Sequence, residues 1–135
     1  MRYLSLVPIA PLLASCAMAV EPPARSERAE AQLQSMIAGK VAGQPVSCLP
    51  SHQSGGMVAI DDHTIVFGSG SKRVYVNNTR GGCSNLKSGH YALVTRSIGG
   101  MGPCSGDIAQ VADVSTGVVV GSCALGDFVP YTSTS

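Results

Sequence analysis

The residues of this sequence best suited to chemistry are three histidines, a carboxylate pair beside one of them, and a set of cysteines. Asp61-Asp62-His63 is the most enzyme-like triplet. With Asp107 it suggests a hydrolase built on Asp61, His63 and Asp107, because imidazole and carboxylate together can move a proton. Adjacent carboxylates on a strand point to opposite faces, so they share one site only where a turn redirects them. In a tight turn Asp is wanted for local backbone hydrogen bonds, and that is the reading adopted for Asp61-Asp62. His52, His63 and His90 lie apart with no i, i+4 pair, so no metal site and no cofactor is expected. There is no G-x-S-x-G elbow, and Gly68 to Lys72 lacks the spacing of a phosphate-binding loop. No catalytic residue is assigned, and the chain reads as non-enzymatic.

The stretch that remains is a binding candidate. Gly68 to Tyr75 joins small residues, which let a partner approach closely, to side chains that supply charge and contact area. The residues singled out are Ser69, Ser71, Lys72, Arg73 and Tyr75.

Compartment follows from the N-terminus and the cysteines. Arg2 precedes Tyr3 to Leu13, an apolar run too short and too broken by Pro8 and Pro11 to span a bilayer. It reads as an export signal over residues 1–19. Leu13-Ala14-Ser15-Cys16 has the form of a lipobox, whose cysteine is acylated and becomes the first residue. Ala17-Met18-Ala19 before Val20 fits ordinary secretory cleavage instead. Lipidation at Cys16 is preferred, because the lipobox adjoins the apolar run and accounts for an odd cysteine. Removing it leaves Cys48, Cys83, Cys104 and Cys123, an even set that reads as a disulfide framework. Cys104-Ser105-Gly106-Asp107 would otherwise suggest an activated thiol, but an exported cysteine of an even set is expected to be oxidised. Four cysteines allow three pairings. Cys48–Cys83 with Cys104–Cys123 is preferred, since each bridge then staples neighbouring segments. The expected location is the periplasm, with a lipid anchor in the outer or inner membrane.

The formal charge is +1, Lys and Arg are scattered, and Trp is absent. No basic footprint or stacking platform for nucleic acid is present. The expected partner is therefore an envelope protein or a cell-wall component, with membrane contact through the lipid anchor alone.

The elements that must carry these residues change character near position 41. Residues 20–40 form a tether and a helix from Ser26 to Ala38, with Ser26 as N-cap and Gly39 as stop. Ala29, Leu33, Met36 and Ile37 make its apolar stripe. Residues 41–131 alternate in β-branched runs separated by Gly, Asn, Asp and Ser. Strands are expected over 46–49, 57–60, 64–67, 72–77, 90–97, 107–113, 117–123 and 128–131. Pro130 argues that the last lies at an edge. Residues 132–135 read as a frayed tail. The fold class is mainly β: a small antiparallel barrel or sandwich of about seven to eight short strands with one N-terminal helix.

The pattern of Cys48, Ile60-Asp61-Asp62, Thr64-Ile65, Tyr75-Val76-Asn77, Cys83, Leu86, Cys104-Ser105-Gly106-Asp107 and Cys123 to Tyr131 resembles a family of short exported proteobacterial proteins of unknown function. The resemblance implies an envelope location and a four-cysteine fold, and carries no activity. Separately, Ser69 to Tyr75 is similar to the Ser/Gly-rich loop with which small lipid-anchored lysozyme inhibitors enter the lysozyme cleft. That likeness implies that Ser71 and either Lys72 or Arg73 would engage catalytic carboxylates. The inhibitor family's loop has a further glycine, and its cysteine spacing differs.

Overall fold

A computed structural model describes residues 24–96 and 99–134. The export signal, Cys16, the first residues of the tether, Ser97 at the end of the fifth expected strand and Ser135 lie outside the described residues.

Among the described residues, eight strands form two antiparallel sheets that do not close into a barrel. They are β1 (Lys40–Ala42), β2 (Val58–Ala59), β3 (Thr64–Phe67), β4 (Arg73–Asn78), β5 (Tyr91–Thr95), β6 (Ile108–Asp113), β7 (Val119–Ala124) and β8 (Phe128–Ser133). One sheet runs β1-β8-β4-β3-β2 and the other β5-β6-β7. The fold class is thus mainly β with one helix and two disulfides. Helix α1 (Glu27–Ile37) starts where expected, with the Ser26 hydroxyl accepting from the Ala29 amide at 3.2 Å. Gly39, at φ 70°, turns the chain out of the helix.

The helix lies across one face of the five-stranded sheet, where Ala29 and Leu33 pack with Ile60, Val66, Val74 and Val76. The other face meets the three-stranded sheet: Ile65, Phe67, Tyr75 and Phe128 pack with Ala109, Val111, Cys123 and Leu125. Period-two alternation along β3 and β4 therefore feeds two cores. Each buried aliphatic side chain of these layers contributes about 1.5–3 kcal/mol by leaving water. Asn77 is buried as well. Its amide donates to Gly126 O at 2.7 Å and accepts from Gly126 N at 3.0 Å, fixing the 125–127 connection against β4.

Four expectations are corrected. First, the disulfides are Cys48–Cys104 and Cys83–Cys123. Cys48 and Cys104 face each other between the bonds Leu49 N to Pro103 O and Ser105 N to Ser47 O, with Cα atoms 4.0 Å apart. That is the close, non-hydrogen-bonded pair of an antiparallel ladder. Arg80 pairs with Ala124 and sets Cys83 beside Cys123. Topology, and not nearness in sequence, decides the partners. Second, β8 is interior, lying between β1 and β4. The carbonyl of Pro130 accepts from Gly43 N at 2.7 Å, so the N–H that proline lacks would face the irregular stretch after β1 and not β4. Third, Thr132 and Ser133 belong to β8, paired with Val41 and Lys40, and are not frayed. Fourth, residues 46–49 carry only isolated bridges, while Lys40–Ala42 forms the strand.

Candidate functional site

The β3–β4 connection folds because glycine opens it. Gly68 sits at φ 75°, and a Cβ there would meet Arg73 O at 3.0 Å, so only glycine enters this turn without strain. Ser71 N bonds Gly68 O at 3.1 Å, and the Ser71 hydroxyl bonds the carbonyls of Gly68 (2.7 Å) and Arg73. Ser69, Ser71, Lys72 and Arg73 are all exposed. Arg73 Nε donates to Thr132 Oγ1 at 3.0 Å, which steadies the guanidinium beside β8. Tyr75 does not belong with them. It is 4% exposed and packs in the core between the sheets, because position 75 faces inward on β4.

A hollow lies on each side of this loop. One, of about 390 Å³, is lined by His52, Gln53, Gly55, Gly68, Ser69, Ser71, Lys72 and Arg73. The other, of about 250 Å³, adds Ser35, Met36, Lys40 and Val74. The ionisable side chains lining the two are Lys40, His52, Lys72 and Arg73, all basic, with no carboxylate among the lining residues. Gln53, in the wall of the first hollow, has its Oε1 shut off from solvent with no hydrogen-bond partner among the described residues. Sequence reasoning missed Lys40, His52 and Gln53. They arrive from the first position of β1 and from a single 3-10 turn, Ser51–Gln53, with no local pattern to mark them.

The opposite end of the same sheet holds the carboxylates. Arg25 clasps it, with Nε at 3.3 Å from Asp61 Oδ2 and its terminal nitrogens at 2.6 Å from Glu30 Oε2 and 2.8 Å from Thr64 Oγ1. Hydrogen bonds from Gln34 and from Arg25 hold the Glu30 carboxyl below its ordinary range. A hollow of about 580 Å³ beside the clasp is lined by Arg25, Glu30, Asp61, His63, Thr64, Asn78 and Thr79. Its charges already answer one another. Asp61 Oδ1 accepts from His63 N at 2.8 Å, the local backbone bond that makes this triplet a turn. Asp107 does not join Asp61 and His63 in this hollow; its carboxylate accepts from Cys104 N at 2.7 Å in the turn before β6. Among the described residues no three His, Cys, Asp or Glu side chains cluster in a way that could hold a metal ion. No described helix is long and apolar enough to cross a membrane. Two disulfides are compatible with an exported chain.

No family model, curated protein or solved structure matches the chain.

Proposed function

We propose that this chain is a non-enzymatic binding module of the bacterial envelope that presents the Gly68–Arg73 loop to an acidic partner. The observation that carries the reading is the separation of charge along one sheet. The loop end bears Lys40, His52, Lys72 and Arg73. The clasp end bears Glu30 and Asp61, already engaged by Arg25. Small side chains at Ser69, Gly70 and Ser71 leave the approach to the cations open.

The same arrangement suits a tethered protein. Arg25 fixes the point where the N-terminal segment leaves the body. From an acylated Cys16, residues 17–24 would reach at most about 28 Å. Helix α1 then runs about 16 Å from the clasp to the loop, with Glu30 at one end and Met36 at the other. The loop thus lies at the other end of α1 from the point where the tether enters, which would leave it accessible to a periplasmic partner.

Inhibition of a lysozyme-type hydrolase is a special case of the same reading, since such enzymes present carboxylates in a cleft. Here Ser71 has its hydroxyl engaged within the loop and Arg73 its Nε on Thr132, which leaves Lys72, the terminal nitrogens of Arg73 and Ser69 to engage them. Photocrosslinking from position 69 in intact envelopes tests the module, with position 115 at the far hairpin as control. A reproducible adduct from 69 and none from 115 is expected. Blanks from 69, or equal labelling from both, would refute it. The special case is tested separately: purified chain in excess should lower the activity of at least one lysozyme class.

A further inference from the structure

We propose that the free edge of β5 pairs antiparallel with β5 of a second copy of this chain, about a two-fold axis at Leu93. The four sheet edges are not equally protected. β1 has three residues and β2 two, short enough to resist pairing. β7 is shielded by a register shift opposite Val111 and Ala112, and by Arg80 bonding both ways with Ala124. β5 has five residues, Tyr91-Ala92-Leu93-Val94-Thr95, without charge, proline or bulge.

The register shows which groups are free. Val114 N donates to His90 O at 3.1 Å, so His90 turns its backbone groups toward β6. By antiparallel alternation Ala92 and Val94 do the same, and Tyr91, Leu93 and Thr95 direct their N–H and C=O groups to the outer edge. Among the described residues no backbone bond ends on that edge.

A second copy fits these groups in one register. Leu93 would face its own mate and Tyr91 the mate's Thr95, making six ladder bonds and one continuous six-stranded sheet. Ala92 would stand beside the mate's Val94, so no charged residue of β5 opposes another. On the outer face Val94 and Ile108, 44% and 61% exposed, lie with Arg96 and Gln110, and Val94 would stand against the mate's Ala92 across the axis. A single edge pairing buries less than about 1,200 Å², which sets the association in the weak range of micromolar to millimolar dissociation constants.

The test combines sedimentation equilibrium of the full chain, disulfides formed, with amide exchange at rising concentration. A monomer–dimer equilibrium is expected. In the dimer the amides of Tyr91, Leu93 and Thr95 should exchange about tenfold more slowly, while Ala92 and Val94 keep their rates. Thr95→Pro removes one outward N–H without touching a bond to β6. It should weaken association about tenfold and leave the circular dichroism of the monomer unchanged. A chain that stays monomeric at millimolar concentration would overturn the proposal. So would a dimer that leaves those three amides unprotected, or one in which a lipid or another protein takes the edge instead.

Discussion

Asn77 offers a sharp test of how the two sheets are joined. It is fully buried on β4, and its amide closes a pair of hydrogen bonds with Gly126, 2.7 and 3.0 Å long. Gly126 has no room for a side chain, because a Cβ there would overlap Asn78 O, so the backbone of the β7–β8 connection lies directly against β4. Asn77→Ala removes both bonds and strands a buried N–H and a buried carbonyl. Each lost bond is worth about 1 kcal/mol net and each orphan costs more, giving a loss of about 2–4 kcal/mol. That is a large part of the roughly 5–15 kcal/mol by which a domain is stable. Asn77→Asp separates the donor from the acceptor. Its protonated carboxyl can still donate to Gly126 O and accept from Gly126 N, whereas the carboxylate sets an anion against the Gly126 carbonyl. Burial and that carbonyl both raise the introduced group's folded-state pKa above its unfolded value of about 3.9. The native state then holds a proton that the unfolded chain has lost. Relative to wild type, this variant is most stable below about pH 4, and loses up to about 1.4 kcal/mol per pH unit as pH rises toward the folded value. Urea unfolding followed by far-UV circular dichroism measures both variants, since the chain has no Trp. The reasoning fails if Asn77→Ala stays within about 0.5 kcal/mol of wild type. It also fails if the Asn77→Asp profile runs parallel to wild type between about pH 4 and 7.

Three further outcomes follow from the covalent and polar framework. Replacing Cys83 and Cys123 together by Ala opens a loop of sequence separation 40 and should cost about 4 kcal/mol in the chain-entropy model, read as a lower urea midpoint. Digestion of the unreduced chain should yield a peptide joining Cys48 to Cys104 and none joining Cys104 to Cys123. In the β6–β7 turn the Asp113 carboxylate accepts from the Ser115 hydroxyl and from the amides of Ser115 and Thr116, which lowers its pKa. Its contribution is complete above the unfolded value near about 3.9 and is lost as pH falls through the lower folded value. The Ser115 and Thr116 amide shifts should therefore titrate with a midpoint below that of an ordinary Asp.

Local chemistry made much of this fold legible. Ser26 followed by the Ala29–Leu33 stripe marked the helix, and Val-rich runs between Gly, Asn and Asp marked seven of the eight strands within a residue or two. What the sequence hid was non-local. Cys104 and Cys123 flank one hairpin, yet each bonds to the chain of the other sheet, because Leu49 pairs with Pro103 and Arg80 with Ala124. Tyr75 looked like a loop contact because alternation does not say whether both faces of a strand are covered. The helix covers one and β6–β7 the other. Pro130 suggested an edge, but its backbone nitrogen points where β1 has already ended. The loop itself was visible as Gly68 to Arg73, whereas its basic neighbours Lys40 and His52 were not, since only folding brings them beside Ser69 and Ser71.

The most direct measurement for the functional reading is the yield of crosslinked partner from position 69 in envelopes, compared between wild type and a Lys72→Glu, Arg73→Glu double variant. Loss of the adduct in the variant, and its decline in wild type as salt is raised, is the expected result, because exposed charges are screened beyond about 8–10 Å at physiological ionic strength. An adduct of equal yield in both proteins, indifferent to salt, would contradict recognition of an acidic partner by the basic end of the sheet.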